Sequence, residues 1–169
     1  MINLTSKEIK GYASSSIARK ENKDCFVRAL AAGFEIGYND AHAIAKDRFK
    51  REDKKGTKNE YIVSGMKEIE ESGIAIGDVI AKVKVLKGLD IKNRYKLYGE
   101  LIDRKKTVKS FIKDHPKGNY IVTVSKHAFA LKDGKLIDNK GEEFRPTRKV
   151  DGAYEILLPK DSAQLSLFS

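Results

Sequence analysis

A single cysteine, Cys25, stands directly ahead of Val27, Leu30, Ala31 and Phe34, which fall at i, i+3, i+4 and i+7 and so share one face of a helix. The pattern predicts a helix that starts near Asp24 and is stopped by Gly37, with Cys25 in its first turn. Unpaired backbone N–H groups and the positive end of the helix dipole favour a thiolate there. A lone cysteine so placed is either a nucleophile or a small apolar side chain of the core. A nucleophile needs a base, and of the three histidines His127 is the best placed, because it opens a β-rich run. Its distance along the chain is no obstacle, since folding creates the proximity. His42, within a helical pattern, and His115, in the turn before Pro116, read as surface or capping residues.

A third group would hold the imidazole in its tautomer and stabilise its charged form. Asp133-Gly134 is a two-residue hairpin signal. It sets Lys132 opposite Lys135, Leu131 opposite Leu136, Ala130 opposite Ile137 and Phe129 opposite Asp138. His127 lies two residues from Phe129 and shares its side, which brings Asp138 diagonally within reach. A one-residue bulge in the turn would present Asn139 instead. Asn22 is the nearest polar side chain that could join the Cys25 N–H in holding an oxyanion, or it is only a helix cap.

The elements that must position these groups run helices first and strands afterwards. Thr5-x-x-Glu8 predicts a short helix over about 6–15, weakened by Gly11 and Ser14-Ser15-Ser16. Asn39 is expected to cap a second helix carrying Ala41, Ile44, Ala45 and Phe49, and a polar loop follows over 51–58. Tyr61, Ile62, Met66 and Ile69 mark a third helix, ended by Gly73. Residues 80–86 alternate as a strand. Thr107 is expected to cap a helix carrying Val108, Phe111 and Ile112, which must end by His115 because of Pro116. Runs at 120–125, 127–131, 135–138 and 153–158 are β-rich. With no βαβ alternation, the order describes a single α+β domain over 1–159 with an antiparallel sheet, and a mobile tail over 160–169.

Charge and composition bound the function. Lys and Arg number 34 against 24 Asp and Glu, a formal net charge of +10, which favours polyanionic or acidic partners without defining a site. One cysteine cannot close an internal disulfide, which fits a reducing cytosol. No apolar run approaches the ~18 residues of a membrane span, and the N-terminus lacks the apolar core of a signal peptide. Neither metal-ligand spacing nor a glycine-rich phosphate loop is present, so neither a metal nor a nucleotide cofactor is expected.

Several segments together carry a resemblance: residues 24–31, Tyr38-Asn39-Asp40-Ala41-His42, Gly56-Thr57, and His115-Pro116-Lys117-Gly118-Asn119-Tyr120 followed by His127 and Asp133-Gly134. Over about 22–158 the chain resembles small papain-like cysteine-peptidase-type proteins of phage and prophage genomes. The resemblance implies a papain-like fold, with Cys25 as nucleophile, His127 as base and Asp138 as the orienting acid, in the cytoplasm of a bacterial host. Two features depart from that pattern: Lys126 stands where a glycine usually precedes the histidine, and residues 80–106 read as an insertion. Because papain-like folds also serve transferases and inactive members, hydrolysis does not follow from fold.

The tail, Gln164-Leu165-Ser166-Leu167-Phe168, resembles the pentapeptide by which bacterial replication and repair proteins dock on the DNA sliding clamp. Leu167 and Phe168 would enter an apolar cleft while Gln164 fixes orientation at its edge. Between Lys82 and Lys117 lie twelve Lys or Arg against four Asp or Glu, a net +8, with aromatic residues interleaved. Lys92, Arg94, Lys96, Arg104, Lys105 and Lys106 are the candidate contacts to DNA phosphates or to an acidic clamp surface. Three functions are compatible with these features. They are a cysteine peptidase recruited to the clamp, a non-catalytic clamp-binding protein that inhibits or redirects replication, and a basic nucleic-acid-binding module.

Overall fold

Ten residues that are almost entirely apolar can form a helix only where neighbours cover every side of it. That is the position of α1 (Cys25–Phe34), in which every residue after Cys25 is buried. A computed structural model of the chain describes residues 3–4, 9–21, 23–137 and 147–159. In it α1 is flanked by α2 (Tyr38–Arg48) and followed by α3 (Asn59–Ser72). It ends at Glu35, whose left-handed conformation (φ 56°) reverses the chain two residues before Gly37. Gly37 instead occupies the N-cap position of α2, and Asn39 lies inside that helix with its Oδ1 accepting from the Ser15 hydroxyl rather than capping.

The expected helix over 6–15 is corrected in its described part. Residues 9–17 form turns, followed by a 3-10 turn at Ala18–Lys20. Gly11 is left-handed (φ 73°), and the serines bond locally: Ser14 Oγ donates to Gly11 O and Ser15 Oγ accepts from Ala18 N–H. Such side-chain bonds compete with the helical ladder.

The strands are β1 (Asn3–Leu4), β2 (Ile74–Ile76), β3 (Val79–Val85), β4 (Asp90–Leu97), β5 (Glu100–Lys105), β6 (Asn119–Val124), β7 (His127–Lys132), β8 (Lys135–Ile137) and β9 (Val150–Leu157). One sheet runs β1-β8-β7-β6-β9-β3-β2, antiparallel except for the β1–β8 pair, and β4 and β5 form a separate two-stranded ribbon. The fold is therefore α+β. Residues 79–85 belong to the main sheet through pairing with β9, so within the basic stretch only the ribbon stands apart. Helix α4 (Val108–Asp114) is capped as its sequence predicts, Thr107 Oγ1 accepting from Ser110 N–H.

Side-chain alternation gives the sheet two different faces. Ile121, Ala128, Ala130, Tyr154 and Ile156 pack toward α1, α2 and α3. Val122, Phe129, Leu131, Leu136 and Ala153 pack with Val108 and Phe111 of α4. At the β7–β8 turn, Asp133 (φ 48°) and Gly134 (φ 78°) are both left-handed, as the tightest hairpin turn requires. The resulting register pairs Lys132 with Lys135, Leu131 with Leu136 and Ala130 with Ile137.

Candidate functional site

Asp24 precedes α1, yet its carboxylate does not cap the helix. It turns inward, where Oδ2 accepts from the Tyr38 hydroxyl at 2.7 Å and Oδ1 lies 3.1 Å from Arg28 Nη2. Burial and this carboxylate push the Tyr38 hydroxyl far above its ordinary range, so it remains a donor. With Asp24 engaged elsewhere, no side chain of the preceding residue competes for the first-turn N–H groups beside Cys25.

A second buried network fixes the segment just upstream. Arg51 Nη2 donates to Glu21 Oε2 at 2.6 Å, and His42 Nε2 lies 3.1 Å from Glu21 Oε1 and 3.3 Å from Arg51 Nη1. Burial raises the Glu21 carboxyl, but its bonds to Arg51 and His42 outweigh that and leave it below its ordinary value. These contacts tie the approach to α1 to α2 and to the loop beyond it. His42 is thereby a structural tie, while His115 stacks between Phe111 and Tyr120 at ring separations of 4.5 and 5.4 Å.

His127 is the first residue of β7, paired with Val124 across a two-residue turn and 6.1 Å from the Phe129 ring. That end of the sheet abuts the start of α1, so that Cys25 and His127 line one cleft and the imidazole acts on the thiol. Desolvation pushes the thiol upward. The His127 hydrogen bond and charge, the Ala128 backbone bond and the Arg28 charge overcome it, so the Cys25 thiol lies below its ordinary value. Two residues 102 positions apart are thus brought together as a thiol–imidazole pair, with a buried cation one helical turn behind the sulfur.

The pair opens into a cleft of about 440 Å³. Its other walls are Gly56 to Asn59, Ile62 of α3, Thr123 and Val124 of β6, and Lys126 in the turn before His127. Thr57 Oγ1 is buried there without a hydrogen-bond partner. Sequence reasoning named the pair but not these walls. The available signals were Gly56-Thr57, noted as a motif, and a lysine at position 126.

The remaining candidate residues are distributed differently. Asn22, Asp138 and Asn139 lie outside the described residues, as do Gln164, Leu165, Ser166, Leu167 and Phe168. Lys92, Arg94 and Lys96 run along β4, and Arg104 is exposed on β5. Lys105 and Lys106 are engaged with Asp151 and Asp114, each at 2.8 Å. Tyr98, at the ribbon's tip, is 97% exposed. Among the described residues no group of three or more His, Cys, Asp or Glu is placed to hold a metal ion, and no helix is long and apolar enough to cross a membrane. Comparison with protein families, curated proteins and solved structures yields no match.

Proposed function

We propose that the chain is a cysteine-dependent amide hydrolase of papain-like type. The observation that carries this reading is the meeting of Cys25 and His127 in the wall of one open cleft, where the imidazole helps to hold the thiol below its ordinary value. The Cys25 thiolate attacks the carbonyl carbon of an amide, forming a C–S bond and a tetrahedral oxyanion held by the Cys25 N–H. His127 gives its proton to the departing amine as the C–N bond breaks, leaving a thioester. Water, losing a proton to His127, then attacks that thioester, releasing a carboxylic acid and restoring the thiolate–imidazolium pair. Asp138 is the orienting acid implied by the hairpin register, and Asn22 the second oxyanion donor.

The test is the pH profile of Cys25 alkylation by iodoacetamide, read by mass spectrometry, together with cleavage of a mixed peptide library. The expected result is half-maximal alkylation below pH 9, shifted upward in His127→Ala, and cleavage abolished in Cys25→Ala. A thiol that reacts only near pH 9 in both proteins, with no cleavage, would overturn the reading.

The pentapeptide at 164–168 supports docking of this hydrolase on a bacterial sliding clamp, a site of action at replicating DNA in a host cytoplasm. So short a peptide binds at about micromolar strength alone, and a basic domain adds a second contact to an acidic, DNA-encircling ring. Calorimetry with a bacterial clamp should show binding by the full chain that is lost on truncation after Ser162. Binding that survives Cys25→Ala, in a protein that cleaves nothing, would instead support a non-catalytic clamp-binding role.

A further inference from the structure

The walls of the thiol cleft carry charge of one sign. Lys58 and Lys126 line it, no carboxylate lines it among the described residues, and neither lysine forms an ion pair with a described carboxylate. Gly56 and Lys58 also line an adjoining recess of about 240 Å³, in which Lys50 and Lys58 place their ammonium groups 5.2 and 5.8 Å from the Tyr61 ring. Such contacts hold the cations in place without neutralising them. The one carboxylate there among the described residues, Glu52, is engaged by Lys55 at 2.7 Å and feels the Lys58 charge more weakly.

Lys126 adds a separate observation. It is left-handed (φ 59°), a conformation that glycine adopts without cost and that strains a lysine. Of the residues that could fill this turn, the chain uses one that works against the backbone and sets a positive charge beside His127. Thr57 also lines the cleft, with its Oγ1 buried and without a hydrogen-bond partner among the described residues.

We infer that the cleft selects acyl substrates bearing a carboxylate next to the scissile bond, a Glu or Asp side chain in a peptide, through Lys58 and Lys126. This inference rests on Cys25 as the attacking group. It makes Lys58 and Lys126 specificity determinants rather than catalytic residues.

Two alkylating reagents of nearly equal size separate the inference from that reading. Iodoacetate carries a carboxylate, iodoacetamide does not, and both report on Cys25. At pH 9, where an ordinary thiol is substantially ionised and lysines remain charged, the iodoacetate-to-iodoacetamide rate ratio should exceed that of free cysteine several-fold. The ratio should fall about twofold in each of Lys58→Gln and Lys126→Gly, and the excess should vanish in 1 M salt. Lys126→Gly relieves the strained backbone, so a lowered ratio in that variant is not a folding defect. A ratio equal to that of free cysteine, unmoved by both substitutions, would overturn the inference while leaving the nucleophile intact. Reaction by neither reagent even at pH 9 would overturn both, since the cleft would then admit no substrate.

Discussion

The two faces of the central sheet are built on different principles. On the α4 side, Val122, Phe129, Leu131 and Leu136 meet Val108 and Phe111 in an apolar contact that buries no charged residue among the described ones. On the side of α1 the helices bury four charged residues, Glu21, Asp24, Arg28 and Arg51, around the start of the helix that carries the thiol. Burying charge is an inefficient route to stability, because desolvation consumes most of the Coulombic gain. What the ionic groups do supply is fixed position. Glu21 and Arg51 clamp the approach to α1, Asp24 and Tyr38 clamp the residue before Cys25, and Arg28 is held by Asp24 one turn further along the helix. Both faces carry an apolar core, but the α1 side adds to it the ionic groups that hold Cys25 in a single place at some expense of stability.

The largest effect should come from breaking the clamp. Arg51→Met leaves Glu21 buried without its main partner and should destabilise by about 3–5 kcal/mol in chemical denaturation. The pH dependence has a definite sign. In the parent protein Glu21 lies below its ordinary value of 4.5, so its contribution is complete above that value and is lost as pH falls through the lower folded one. In Arg51→Met the carboxyl keeps its burial and only His42 as a partner, so acid protonates it more readily and relieves part of the defect. The difference between the two proteins should therefore shrink on acidification. A difference that stays constant between pH 7 and pH 4 would mean that Arg51 acts through packing alone.

These two faces were not equally legible in the sequence. The apolar side follows from alternation and turn chemistry: Asp133-Gly134 alone sets the register of Leu131 and Leu136, and Thr107 with Pro116 brackets α4. Cys25 at the start of α1 and His127 at the start of β7 were legible for the same reason, since both are element boundaries. The ionic side was not, because a buried Arg51 lies in a run, 51–58, that reads as a polar loop. Periodicity carries no record of which charged residue finds a partner 30 positions away. The same holds for Lys126, whose left-handed backbone is visible only once the β6–β7 turn is built. Likewise, no pattern told that Ser15 would draw Asn39 into a side-chain bond and away from the cap position.

On the apolar face, Leu131→Ala removes a side chain that is 1% exposed and should cost about 2–5 kcal/mol. Its expected signature is the opposite of a clamp mutation: lower stability with the pH profile of Cys25 alkylation unchanged. A shifted profile would show that the two faces are coupled through β7, which carries both Leu131 and His127. Gly33→Ala probes the seam between α1 and the sheet. A Cβ there would meet Ile121 Cγ1 at 2.8 Å and Cδ1 at 3.0 Å, overpacking that should cost about 1–3 kcal/mol. Adding Ile121→Val removes the Cδ1 contact and should recover part of the loss. Failure of that rescue would mean that the helix backbone, rather than the isoleucine, has moved.

The smallest predicted change tests how local the apolar face is. Thr107→Ala deletes the side chain that accepts from Ser110 N–H at 3.1 Å and should cost about 1 kcal/mol, a few degrees in thermal midpoint. Thr107 also forms a bridge with Lys149 just before β9, and Val108 N–H donates to Arg148 O, so the cap lies where α4 is tied to the sheet. Those backbone bonds persist in the alanine variant. If hydrogen exchange in that variant quickens only within α4, the helix frays by itself and the sheet is indifferent to it. If β9 and β6 quicken as well, the loss has passed through the 148–150 junction into the strand beside Thr123 and Val124, which wall the cleft. In that case the apolar face, and not only the ionic one, sets the shape of the space in front of Cys25.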